Sequence, residues 1–83
     1  MMGHVVTVRY YAAARAAAGV TEERTESGTL ADLVERLSAE RGEQLAKMFG
    51  AASFLVDGVA WRDRHAALPA GATVDVLPPF AGG

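Results

Sequence analysis

The sequence predicts an α+β fold, a mixed sheet of four or five strands packed on one main helix. Three observations carry that reading. Runs rich in β-branched residues open and close the chain, at residues 5–10 and 73–77. One amphipathic helix with a single apolar stripe lies between them, at residues 29–41. An Asp57-Gly58 pair between two short apolar runs marks a tight hairpin. A single stripe covers only one face of a sheet. The other face is left for solvent or a partner.

In residues 5–10 alternation puts Val6, Val8 and Tyr10 on one face and Val5, Thr7 and Arg9 on the other. Residues 11–18 are nearly all alanine, which costs least in a helix, and Gly19 stands where a helix C-cap belongs. Two turns of helix do not hold alone in water, so this piece must pack on something. Residues 20–26 are polar and charged, suited to a solvated edge strand that resists edge-to-edge association. Ser27-Gly28 is a turn, and Thr29 with Asp32 approximates a capping box. Leu30, Leu33, Val34 and Leu37 then form the apolar stripe, with Glu35, Arg36, Glu40 and Arg41 on the wet side and Gly42 as the stop. A shorter helical turn at residues 44–49 offers Leu45, Met48 and Phe49 to the core. Residues 53–56 and 59–62 are the hairpin strands, 63–67 a loop, 68–71 a turn, and 73–77 the last strand. Trp61 belongs to core or sheet-face packing. Pro78-Pro79 ends the ladder, since proline has no N–H to give. The domain is residues 5–77 and the tail residues 78–83, while residues 1–4 carry no role.

Composition narrows the function classes. At 83 residues there is room for one domain. Alanine supplies 17 of the hydrophobic residues, there is no isoleucine, and the core is adequate rather than generous. With no cysteine there is no disulfide, thiolate metal site or cysteine nucleophile, which fits a reducing, cytoplasmic setting. A net charge of −2 without a basic block argues against nucleic acid as a partner. No apolar run is long enough for a membrane span, and the start has no signal-peptide pattern.

The interior offers no active site. His65 has only Asp63 nearby in sequence, better read as a solvated loop pair than as metal ligands, and no metal is expected. Ser27, Ser38 and Ser53 lack a nucleophile-elbow context, and no glycine pattern forms a phosphate loop. Lys47, the one lysine, is a surface charge.

The C-terminus differs. Pro-Pro-Phe-Ala-Gly-Gly puts an α-carboxylate on an end without bulk, because glycine lets backbone pass a channel too narrow for a Cβ. Extended from Pro78, the tail reaches on the order of 20 Å. Pro78-Pro79 stiffens its exit and limits the entropy lost on threading into a partner. A carboxylate becomes an acyl donor once adenylated. The dipeptide alone is better read as an ordinary disordered end.

Residues 6–15 (Val-Thr-Val-Arg-Tyr-Tyr-Ala-Ala-Ala-Arg), Thr29-Leu30-Ala31-Asp32-Leu33, and residues 74–83 (Val-Asp-Val-Leu-Pro-Pro-Phe-Ala-Gly-Gly) together resemble one family. It is the small, sulfur-carrying subunit of molybdopterin synthase, within the ubiquitin-like sulfur carriers. The resemblance covers residues 5–83, and its most specific part is the final strand running into Pro-Pro-x-x-Gly-Gly. It implies the ubiquitin-like β-grasp fold. It also implies that Gly83 is adenylated by a ubiquitin-E1-like enzyme using ATP, then converted to a thiocarboxylate with sulfur from a sulfurtransferase. The tail, with Gly82 next to the reactive end, then enters the large synthase subunit and gives sulfur to cyclic pyranopterin monophosphate. A heterotetramer with that subunit is implied, and no cofactor is bound by this chain. Two features depart from the family pattern: Asp57 stands where relatives often carry asparagine, and the first helix is unusually rich in alanine.

Partner contacts are expected from Phe80, Ala81, Pro79 and Leu77. Phe80 lies beyond the last strand and reads as an interface anchor, or as a side chain folded back on its own sheet. Leu77 faces the partner if Val74 and Val76 point inward. Competing readings are a sulfur carrier for thiamine or cysteine synthesis, a ubiquitin-like modifier joined through Gly83, and an interaction module whose tail has no chemistry.

Overall fold

The computed structural model describes residues 4–79. The elements are β1 (His4–Tyr10), α1 (Ala13–Ala18), β2 (Glu22–Ser27), α2 (Leu30–Arg41), α3 (Glu43–Phe49), β3 (Ser53–Val56), β4 (Val59–Ala60) and β5 (Thr73–Leu77). The strands form one five-stranded sheet in the order β2-β1-β5-β3-β4. β1 and β5 are parallel, and the other neighbours are antiparallel. This is the mixed sheet expected of a β-grasp, with α2 as its main helix. The polar strand β2 lies at an edge, as its charges require.

One layer of side chains joins sheet and helices. Val6, Val8, Tyr10, Phe54, Val56, Val74 and Val76 point inward against Leu30, Leu33, Leu37, Leu45 and Phe49, all buried. Fully burying one such aliphatic side chain stabilises by about 1.5–3 kcal/mol. The stripe read on α2 is therefore the stripe buried, with Val34 packed partly against its flank. Thr29 caps the helix as expected: its Oγ1 accepts from the Asp32 N–H at 3.1 Å. In the hairpin, Asp57 (φ 50°) and Gly58 (φ 84°) both adopt positive φ, the condition for the tight turn between β3 and β4. Asp57 does more than turn the chain. Its Oδ1 accepts from the Thr73 N–H and its own N–H donates to the Thr73 carbonyl, both at 2.9 Å, tying the hairpin to the start of β5.

Four expectations need correction. The first helix starts at Ala13, not Tyr11, because the Tyr11 N–H donates to the Val76 carbonyl at 3.3 Å and Ala12 then turns the chain at φ 50°, ψ −124°. β4 stops at Ala60 rather than running to residue 62. The Trp61 N–H still reaches the Phe54 carbonyl at 2.9 Å, but Trp61 packs partly against the core and the ladder ends there. Leu68, read as a turn residue, is fully buried, and its N–H donates to the Gly28 carbonyl at 2.8 Å. Arg41 is not on the wet side.

Arg41 instead reaches back across the helix–sheet layer. Its Nε and Nη2 donate to Glu23 Oε2 and Oε1 at 3.0 and 2.8 Å, and Nη1 donates to the Ala18 carbonyl at 3.4 Å. The Tyr10 hydroxyl donates to Glu23 Oε2 at 2.5 Å. One carboxylate thus joins β1, β2 and the end of α2, and Arg41 extends the link to α1. Burial alone pushes the Glu23 carboxyl up, but hydrogen bonds from Arg41 and Tyr10 and the Arg41 charge outweigh it and hold the carboxyl below its ordinary value. Burial, then the bond to Glu23, pushes the Tyr10 phenol far above its own.

Candidate functional site

Of the six residues singled out at the tail, Leu77 and Pro79 fall in the described chain; Phe80, Ala81, Gly82 and Gly83 lie outside the described residues. What the structure shows is the root of the tail. β5 is the central strand of the sheet, paired with β1 from Thr7↔Thr73 to Tyr10↔Val76 and with β3 from Ser53↔Leu77 to Val56↔Val74. Both flanks of the strand that leads to the tail are therefore hydrogen-bonded. Val74 and Val76 are inward and fully buried, so the condition set for Leu77 is met: it lies on the opposite face, half-buried, across from Ser53. Pro78 is buried and Pro79 exposed, so the chain clears the body between the two prolines.

The outer face beside this root carries a row across all five strands. By register it runs Glu22, Arg9, Asp75, Leu55, Ala60. Arg9 Nε donates to Asp75 Oδ1 at 2.7 Å and Nη2 to Oδ2 at 3.1 Å, a two-point ion pair. The Arg9 guanidinium carbon lies 5.9 Å from the centroid of the Tyr11 ring. Asp75 is buried although it points away from the core, because Arg9 and Leu55 flank it. Sequence reading missed this pair. Alternation puts both residues on the outer face, but only the pairing of β1 with β5 makes them neighbours.

The other candidates take structural roles. His65 is exposed, and Asp63 Oδ1 accepts from the His65 backbone N–H at 3.0 Å, closing a local turn. Among the described residues no three His, Cys, Asp or Glu side chains come together as a metal site. Lys47 is exposed on α3. No helix among the described residues is long and apolar enough to cross a membrane. The described surface thus holds a fixed tail root beside a sheet face with an ion pair and two half-buried leucines, Leu55 and Leu77. Among the described residues that face brings together no acid–base or nucleophile pair.

The sequence profile described as the ThiS family matches residues 8–83. Among curated proteins none matches the chain. Among solved structures, the Pyrococcus furiosus protein assigned as subunit 1 of molybdopterin converting factor is similar at 25% identity and TM-score 0.73, over 93% of this chain and 99% of that one. Small archaeal modifier protein 1 of Methanosarcina acetivorans shares the fold at TM-score 0.80 and 21% identity, over 100% of this chain and 99% of its own. A chain of the Helicobacter pylori complex of subunits 1 and 2 of molybdopterin-converting factor shares it at TM-score 0.68 and 20% identity, over 95% and 99%. The ubiquitin-like β-grasp is the common architecture.

Proposed function

The chain belongs to the ThiS family, and from that premise we propose that it is a sulfur carrier for molybdopterin synthesis, working through the carboxylate of Gly83. The observation that carries the reading is the join between body and tail. The central strand β5 is paired on both sides up to Val76 and with β3 up to Leu77, and the profile match continues past it to Gly83. A rigid sheet behind a narrow tail suits a chain that offers its own main-chain end as the reacting group.

In this reading an E1-like enzyme binds the tail, and the Gly83 carboxylate attacks the α-phosphorus of ATP, releasing pyrophosphate. The persulfide of a sulfurtransferase attacks the acyl carbon and displaces AMP, and a second thiol then cleaves the S–S bond of the resulting acyl disulfide, leaving a thiocarboxylate and a disulfide on the donor side. The tail, residues 78–83, then enters the large synthase subunit, where the sulfur attacks a side-chain carbon of cyclic pyranopterin monophosphate and displaces an oxygen substituent from it. Water next cleaves the acyl–sulfur bond and restores the carboxylate. Gly82 and Gly83 let the tail pass a narrow channel, and a closed partner pocket shields the thiocarboxylate from premature hydrolysis. Phe80, Ala81, Pro79 and Leu77 contact the partner, with the outer sheet face around Leu55 and Arg9 extending that contact. The similarity to subunit 1 of the Pyrococcus protein and the fold shared with the Helicobacter complex support this partner and this pathway over thiamine or cysteine synthesis.

A second reading rests on the fold shared with small archaeal modifier protein 1, in which the activated Gly83 passes to a lysine amine of another protein. Intact mass spectrometry separates them. After incubation with ATP, the adenylating enzyme and a sulfur source, the carrier shows one terminal oxygen replaced by sulfur. The modifier instead accumulates as isopeptide-linked adducts in extracts. Failure to load sulfur at Gly83 under conditions that load a known carrier rejects the proposal.

A further inference from the structure

At the sheet edge where β4 ends, a cleft of about 280 Å³ is lined by Ser53, Phe54, Leu55, Trp61, Arg62 and Arg64, among others. We propose that it receives a carboxylate side chain of the large subunit that takes up the tail, a proposal that rests on the sulfur-carrier reading above.

The size of the cleft suits one side chain, since small-molecule sites occupy about 300–1,000 Å³. Its chemistry selects an anion. Two arginines line it and no acidic residue does. Arg62 is exposed and forms no ion pair with the described residues. Arg64 is held in place: its Nη2 donates to the Phe49 carbonyl at 3.1 Å, and its guanidinium carbon sits 5.2 Å from the centroid of the Phe54 ring. A guanidinium carries five N–H donors, so that one bond leaves capacity for a carboxylate. Trp61 also lines the cleft, and its Nε1 is buried without an acceptor among the described residues, so a shift of the indole that brought it to a bound carboxylate would be favourable.

Position points to the partner. Ser53, on the cleft wall, pairs with Leu77, the residue from which the tail departs. A protein that grips the tail therefore also covers the cleft. A carboxylate placed there meets Arg62 and Arg64 together, giving a polar register mark beside the apolar contacts of the tail.

The test uses the full chain with its cognate large subunit. Trp61 is the one tryptophan, so an isotope-labelled sample shows one indole nitrogen–proton cross-peak. That cross-peak is expected to move when the large subunit is added. In calorimetry Arg62→Glu is expected to weaken binding by about tenfold or more and Arg62→Lys by less, while Arg36→Glu, on the exposed flank of α2, stays within about twofold. The affinity of the unmodified chain should also fall more steeply with added salt than that of Arg62→Ala. An unmoved indole cross-peak in a complex that still forms, or equal affinity for Arg62→Glu, overturns the cleft proposal and leaves the sulfur-carrier reading standing. If the unmodified chain does not bind the large subunit, that reading fails and the cleft proposal fails with it.

Discussion

Arg9 and Asp75 face each other across the parallel strands β1 and β5, joined at two points, 2.7 and 3.1 Å. The partners are unequally exposed, with the Arg9 side chain 45% exposed and the Asp75 side chain 10%. That asymmetry sets a prediction. Arg9→Ala strands a carboxylate that solvent barely reaches. Asp75→Asn leaves a guanidinium that water hydrates, beside an amide that still hydrogen-bonds. Thermal melts at neutral pH should show the larger loss for Arg9→Ala, with Arg9→Ala/Asp75→Asn recovering part of it. Equal losses would mean that the pair does not hold β5 in place.

The same pair shows where sequence reading stops. Period-two alternation placed Val6, Val8 and Tyr10 inward and Arg9 outward, and the structure agrees because that pattern depends on one strand alone. Thr29, Gly19 and Asp57-Gly58 were readable for a similar reason: caps and turns are local chemistry. The Arg9–Asp75 and Arg41–Glu23 pairs join residues far apart in the chain, and only strand order and helix docking bring them together. Leu68 was misread because its burial follows from bonding to Gly28, a contact no local pattern encodes. The tail was recognisable as a motif, and its root on the central strand required the sheet order.

Stability should fall in acid through Glu23. Its carboxyl is held below the ordinary glutamate value of about 4.3, so the unfolded chain takes up a proton first as pH drops. The contribution is complete above that value and is lost as pH falls through the lower, folded one. Urea unfolding should therefore find Glu23→Gln less stable than the parent at neutral pH, with the gap narrowing as pH falls below the ordinary glutamate range. A gap that is unchanged by pH would show that the carboxylate charge plays no part. Tyr10→Phe, which removes only a neutral donor, should cost about 0.5–1.5 kcal/mol.

Ala12 sits at φ 50°, ψ −124°, between the end of β1 and α1, and its side chain is exposed. An L-residue with a Cβ is strained there by about 1–3 kcal/mol. The turn it makes is closed by the Ala14 N–H donating to the Tyr11 carbonyl at 2.9 Å. Ala12→Gly removes the strain but adds backbone freedom to the unfolded chain, so a net gain of about 1 kcal/mol is expected from denaturant unfolding. A loss would show that the strain is relieved in solution.

Body and tail should fail separately. Leu37 is fully buried beneath the sheet, so Leu37→Ala removes core volume and is expected to cost about 2–5 kcal/mol. Sulfur loading by that variant should decline only as its folded fraction declines, because the reacting carboxylate is untouched. Gly82→Leu is the converse. It adds a side chain next to the terminal residue, four positions after the buried Pro78 in sequence. Its melting temperature should match that of the parent, yet sulfur transfer within the large subunit should be abolished, and deletion of Gly83 should abolish loading itself. In the sulfur-carrier proposal the threading channel admits backbone without a Cβ, and adenylation needs the terminal carboxylate at a fixed reach from Pro79. If Gly82→Leu still supports pterin synthesis at the parent rate, the narrow-channel account of the Gly-Gly end is wrong. Loading without Gly83 would move the reacting carboxylate to another residue.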